Sequence, residues 1–199
     1  VCGTAKYTVA DMLKAFEVEQ KYWAGQGVQN PWWAVDIAFH QGTLSEFPTE
    51  QKLKFYRAGD EVLKRVLPKV QALGLLKKDA ISQGTALDFG CGLGRMSNAL
   101  ASAGFQNVKC VDQAQTFLDA AKQSLTELAG QGVVVGDVAN RVDFVKSSPD
   151  LLCVQPRSSI DFIFSVITLQ HMKPMLQMAY VEQLCDLLRS CLLYTSPSP

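Results

Sequence analysis

Between Asp88 and Arg95 every second residue is glycine, in the run Asp88-Phe89-Gly90-Cys91-Gly92-Leu93-Gly94-Arg95. Glycines at 90, 92 and 94 let the backbone turn sharply and let a ligand lie against it with no Cβ in the way. A helix opening at Arg95 turns its unpaired N–H groups toward such a ligand and favours a carboxylate or phosphate. A second acid, Asp112, closes the apolar segment Val108–Val111. A carboxylate at the end of a neighbouring strand accepts hydrogen bonds from a ribose diol. The chemistry available to this set is recognition of a ribose-bearing ligand with an anionic group.

Those residues need a strand before the glycines, a helix after them and a second strand beside the first. The sequence supplies all three. Thr85–Phe89 is a short apolar run, and Arg95–Ala103 places Met96, Ala99, Leu100 and Ala103 on one helical face before Gly104. Val108–Val111 reads as the second strand. Ala114–Ala129 reads as a helix carrying Phe117, Leu118, Ala121, Leu125 and Leu128. Val142–Val145 and Ile160–Ile167 read as further strands, and Pro174–Leu188 as a helix. Strand alternating with helix implies a parallel sheet with crossover helices on both faces.

Residues 1–80 have a different texture, and 7–80 read as helical. Thr8 and Asp11 form a capping-box pair ahead of Val9, Met12, Leu13, Phe16 and Trp23. Asn30-Pro31-Trp32-Trp33 interrupts the pattern. A second helix spans Thr49–Leu73, with Pro68 expected to kink it and Gly74 to end it. The fold class expected is α/β, a doubly wound, mostly parallel sheet with a helical N-terminal segment.

Composition narrows the partners. Lys+Arg and Asp+Glu are both 19, so the net charge is zero and offers no electrostatic footprint for nucleic acid or an anionic membrane. No apolar run approaches a membrane span, and no signal-peptide layout is present. The six cysteines, Cys2, Cys91, Cys110, Cys153, Cys185 and Cys191, form no C-x-x-C pair and no zinc-like spacing. They are read as reduced thiols of a cytoplasmic protein, and no metal site is expected.

The glycine spacing separates two ligand families. A dinucleotide loop is G-x-G-x-x-G. From Gly90 the third glycine falls on Arg95, and from Gly92 it falls on Ser97. Neither frame fits. The stretch Leu87-Asp88-Phe89-Gly90-Cys91-Gly92-Leu93-Gly94-Arg95 instead resembles the first motif of class I S-adenosylmethionine-dependent methyltransferases. Asp112 through Leu118 resembles that family's second motif, an acid followed by a large apolar residue. Asp161–His171 resembles its fourth strand and the L-Q-H segment after it. The resemblance covers about 84–189.

The resemblance implies a Rossmann-like core that binds S-adenosyl-L-methionine. Asp88, Gly90, Cys91, Gly92, Gly94 and Arg95 would form the cofactor loop. Asp112, with Gln113 beside it, would hold the ribose hydroxyls, and Phe117 would cover one adenine face. Ser165 and Val166 would pass beneath the methionine portion. At Lys146-Ser147-Ser148 the family often supplies an acid or amide to the adenine amino group, where this sequence offers Ser147. His171 is the candidate general base toward an acceptor, which is expected to be a small molecule. The alternatives are a non-catalytic truncated domain and an NAD-dependent Rossmann oxidoreductase.

The resemblance also implies seven strands where four can be placed. Residues 81–190 are expected to be the cofactor domain, incomplete, with 1–80 on the substrate side. Beyond about Ser190 the run Cys191–Pro199, rich in serine and proline, reads as unable to make a central strand and as a non-native tail. The chain begins at Val1 and is expected to be a fragment. Cys91 is read as a small filler of the loop, Trp32 and Trp33 as packing, and His40 as structural. Tyr56, Arg57 and Gly59 are read as one face of a helix, with a lid over the methionine end as the alternative.

Overall fold

A computed structural model describes residues 8–35, 48–130, 138–151, 155–189 and 193–196. Helix α1, Val9–Gln29, opens with the expected capping box: the Asp11 N–H donates to Thr8 Oγ1 at 3.1 Å, and the Thr8 N–H donates back to Asp11 Oδ2 at 2.9 Å. It ends at Asn30, and Pro31 starts a short helix, α2, Pro31–Val35. The break expected there is thus a change of direction between two helices, with proline at a first helical position where its missing N–H costs nothing. Helix α3, Thr49–Ala72, runs through Pro68, and α4, Lys78–Gln83, follows.

The core alternates β1 (Thr85–Phe89), α5 (Arg95–Ser102), β2 (Asn107–Asp112), α6 (Gln115–Gly130), α7 (Val138–Arg141), β3 (Val142–Lys146), β4 (Phe162–Val166), α8 (Pro174–Leu187) and β5 (Leu193–Ser196). All pairings are parallel, and the strand order is β3-β2-β1-β4-β5. The order reverses between β1 and β4, the crevice where doubly wound sheets bind their ligands.

Two expectations are corrected here. A fifth strand forms where four were placed, and Leu193–Ser196 pairs with Ile163–Val166. The strand is made of Leu193-Tyr194-Thr195-Ser196, stops before Pro197 and flanks only β4 among the described strands, so it is not the central strand that the prolines exclude. The second correction concerns the cysteines. Cys91 and Cys110 are joined in a disulfide, with Cα atoms 5.4 Å apart. Register brings them together, since Asp88 lies beside Cys110 and the loop after β1 folds back across β2. Cys2, Cys153, Cys191 and His40 lie outside the described residues.

Side-chain alternation along the strands sorts the core into two faces. Ala86, Val108, Cys110, Phe162 and Phe164 meet Leu63, Leu67 and Val70 of α3 and Met96 and Leu100 of α5. Leu87, Phe89, Val111 and Ile163 meet Leu176, Tyr180 and Leu184 of α8 and Ala15 and Phe16 of α1. A third cluster joins Trp32 and Phe55 to Phe117, Leu125 and Leu128 of α6. The N-terminal helices therefore share their hydrophobic core with the sheet domain. Each fully buried Leu or Phe in these clusters contributes roughly 1.5–3 kcal/mol. Trp32 is wholly buried against Phe55, as packing requires. No described helix is long and apolar enough to cross a membrane.

Candidate functional site

The carboxyl ends of β1, β2 and β4 open into a cleft, at the place where doubly wound sheets bind their ligands. Of the residues singled out in the sequence, Asp88, Gly90, Cys91, Gly92, Arg95, Asp112, Gln113, Phe117, Ser147, Val166 and His171 all line it. Gly94 and Ser165 stand behind the wall. Gly94, at φ +75°, caps α5 and donates its N–H to Cys91 O at 2.8 Å. Ser165 is buried and donates its hydroxyl to Phe89 O at 2.9 Å, tying the end of β4 to the end of β1.

The glycine loop is shaped from both sides. Gly90 sits at φ +74°, and a Cβ there would fall inside the Thr168 side chain. Thr168 in turn donates to Phe89 O at 3.1 Å. Gly92 sits at φ +50°, where a Cβ would meet Val35 of α2. The Gly90 and Cys91 N–H groups both donate to Val111 O, at 2.8 and 3.1 Å. Tyr56 reaches the loop from α3 and donates its hydroxyl to Leu93 O at 2.8 Å. Of the F-Y-R-A-G-D stretch, Phe55, Tyr56 and Gly59 are buried, Gly59 against the Arg95 carbonyl, while Arg57 and Ala58 are exposed.

Asp112 is the focus of the cleft. Its Oδ2 accepts the Gly92 N–H at 3.0 Å and its Oδ1 accepts the Ala114 N–H at 2.9 Å. An ionised carboxylate has about four lone-pair positions, more than the backbone N–H groups of Gly92, Gln113 and Ala114 engage. The group is 9% exposed, and burial pushes its pKa up to about 6 against the pull of those N–H donors. Asp88 is raised further, to about 7, first by burial and then by the charge of Asp112, while the Ser97 hydroxyl at 2.7 Å and Arg95 oppose the shift. Two buried acids in one cleft, both raised by desolvation, single it out as the candidate site.

Other lining residues come from elements that the sequence could not bring together. Trp23 of α1 packs edge-on against His171, ring centroids 5.5 Å apart. One helical turn earlier, Glu19 accepts the Lys173 N–H at 2.8 Å. At the other end of the cleft, Gln20 donates to Gln113 O at 3.1 Å and Thr116 donates to Ala24 O at 3.0 Å. Helix α1 thus bridges the segment after β4 and the segment after β2. Tyr180 of α8 also faces the cleft, donating to Ser148 O at 3.1 Å, with its pKa raised to about 12 by burial. Ile167, at φ +58°, holds a conformation rare for a β-branched side chain and costing about 1–3 kcal/mol, at the point where β4 meets the cleft. Among the described residues no cluster of His, Cys, Asp and Glu could hold a metal ion.

The family model of the methyltransferase domain matches residues 86–190, more than half of the chain. The chain belongs to the methyltransferase domain family. The match runs from β1 to just beyond α8, taking in every strand that lines the cleft. Among solved structures, magnesium protoporphyrin IX methyltransferase from Synechocystis PCC 6803 with bound SAH superposes with a TM-score of 0.55 at 20% identity, over 86% of this chain and 67% of that one. Phosphoethanolamine N-methyltransferase 1 from Haemonchus contortus, in complex with phosphoethanolamine and S-adenosylhomocysteine, gives 0.49 at 15% identity, over 96% of this chain. An S-adenosylmethionine-dependent methyltransferase from Mesorhizobium loti gives 0.44 at 17% identity, over 61% of this chain. This chain spans 67%, 32% and 47% of their respective lengths. The likeness at this identity concerns the fold. No curated protein sequence matches the chain.

Proposed function

We propose that this chain binds S-adenosyl-L-methionine across the Asp88–Arg95 loop and the end of β2, and transfers its methyl group to a small-molecule acceptor. The observation that carries the reading is Asp112, anchored by the Gly92 and Ala114 N–H groups with lone pairs to spare on the cleft wall. That is the arrangement a vicinal ribose diol needs. The glycine backbone at 90 and 92 allows close approach of a ligand that side chains would block. Phe117 offers an aromatic surface to a purine, and Ser147, whose N–H is held by Asp112 O at 2.7 Å, offers a hydroxyl near it.

S-adenosyl-L-methionine supplies, when bound, a methyl on a positively charged sulfur with a neutral thioether as leaving group. The chain's part is chiefly alignment, which can contribute about 7–11 kcal/mol toward a displacement barrier. His171, on the segment after β4, takes a proton from an acceptor hydroxyl or ammonium group where the nucleophile carries one. Its ring is oriented by Trp23, and its segment is latched to α1 through Glu19. Trp23, Val35 and Phe55 of the N-terminal helices stand on the acceptor side of the cleft, across from the cofactor loop and the end of β2. The balanced charge and an apolar rim of Trp23, Val35 and Phe55 support a small organic acceptor over nucleic acid. Titration with S-adenosylhomocysteine, beside an Asp112→Ala variant, tests the reading.

A further inference from the structure

The Cys91–Cys110 disulfide lies inside the cofactor loop itself. Cys91 stands between Gly90 and Gly92 on the cleft wall and is 7% exposed, while Cys110, on β2, is wholly buried. Of the pair only Cys91 has any exposure, and it lines the cofactor cleft. Reduction would not free the loop, because Gly90 and Cys91 still bond Val111 O and Gly92 still bonds Asp112. The pair is therefore placed for exchange chemistry without collapse of the site around it.

We propose that Cys91 and Cys110 form a thiol–disulfide modification site whose access is controlled by cofactor occupancy; this rests on the proposed cofactor lying against the Asp88–Arg95 loop. The co-reactant is a small dithiol in one direction and a small disulfide in the other. In reduction, a thiolate of the dithiol attacks Cys91 Sγ, the Cys91–Cys110 bond breaks, and Cys110 leaves as thiolate and takes up a proton. The second thiol of the reagent then attacks the mixed disulfide. Cys91 is released as a thiol and the reagent closes to a cyclic disulfide, two electrons having passed to the protein. In oxidation, the Cys91 thiolate attacks the small disulfide and expels one thiol. Cys110, with its Cα 5.4 Å away, resolves the mixed disulfide and expels the second. A ligand seated on the loop covers Cys91 and stops both reactions at their first step.

The test measures reduction of the purified chain by dithiothreitol with and without S-adenosylhomocysteine. Aliquots are alkylated and mapped by mass spectrometry at Cys91 and Cys110, and calorimetry on the same sample measures ligand binding. With nine-tenths of the sites filled, the reduction rate is expected to fall about tenfold, in proportion to the empty fraction. In a Cys110→Ala variant, alkylation of the Cys91 thiol by iodoacetamide is expected to slow by the same factor. Unchanged rates in a chain that binds the ligand would overturn the proposal and leave the cofactor reading intact. Recovery of Cys91 and Cys110 unpaired, even after exposure to glutathione disulfide, would overturn it as well. Failure to bind the ligand would count instead against the cofactor reading on which the proposal rests.

Discussion

The backbone N–H of Gly92 donates to Asp112 Oδ2 at 3.0 Å, joining the loop after β1 to the end of β2. The two cofactor motifs are thus one object: the loop holds the acid in place, and the acid holds the loop in shape. Perturbing either side should be felt by the other.

The acids give opposite pH signs for stability and for binding. Asp88 and Asp112 stand at about 7 and about 6, raised from an ordinary 3.8, so the folded chain holds these protons more tightly than the unfolded one. The stability they lend is full below pH 3.8 and is lost as pH rises through about 6 and then about 7. The ligand-free chain should therefore melt at a lower temperature at pH 8 than at pH 5.5. Asp88→Asn should flatten that slope and add roughly 1–3 kcal/mol at pH 8 in denaturant titrations. S-adenosylhomocysteine affinity should instead improve from pH 5 to 7, as Asp112 ionises and becomes the stronger acceptor.

Gly90→Ala should damage the site twice over, through its φ of +74° and through collision with Thr168. The loss expected is about 1–3 kcal/mol of stability, with ligand binding abolished. Adding Thr168→Gly should restore part of the stability, since the collision is removed while the strained φ remains. Full recovery in the double variant would show that φ costs little here.

Glu19 accepts the Lys173 N–H from within a mostly buried setting, and burial raises its pKa. Glu19→Ala leaves that N–H without its partner and should destabilise the fold by about 1–3 kcal/mol. Glu19→Gln keeps an accepting oxygen and should recover most of the loss. Glu19→Met keeps the packing but offers no oxygen, so thermal unfolding of it beside Glu19→Gln distinguishes a hydrogen-bonded latch, which predicts loss in Met alone, from simple side-chain packing, which predicts loss in neither.

The disulfide closes a ring across the β1–α5–β2 unit, the two cysteines being 19 residues apart. On chain-entropy grounds, reduction should lower the unfolding free energy by about 3 kcal/mol. Equilibrium denaturation with and without dithiothreitol measures this. The Cys110→Ala variant should resemble the reduced chain and should not respond to the reagent.

Where chemistry is local, the residues announced it. Thr85–Phe89 has the bounds that its apolar run implies, and the alternation of glycine after Asp88 foretold a loop that turns at positive φ. Asp112 could be placed because a strand-ending acid in a doubly wound sheet has one destination. What stayed hidden depends on long-range packing. Trp23 and Tyr180 enter the cleft from α1 and α8, far apart in sequence, and nothing in their own surroundings marks them. Pairing of Cys91 with Cys110 requires the register of β1 on β2, which spacing alone does not supply. Composition argued against β5, because serine and proline weigh against a central strand and say little about a short flanking one. Ile167 at positive φ is invisible to propensity, since it is imposed by the turn from β4 toward Thr168.

The most direct measurement is calorimetric titration of the chain with S-adenosyl-L-methionine, S-adenosylhomocysteine and NAD, beside Asp112→Ala, with folding followed by circular dichroism. Selective binding of the two adenosyl ligands is expected, weakened in the variant by at least about tenfold, as loss of a charge-assisted hydrogen bond implies. A folded wild-type chain that binds neither ligand, or that prefers NAD, would contradict the account.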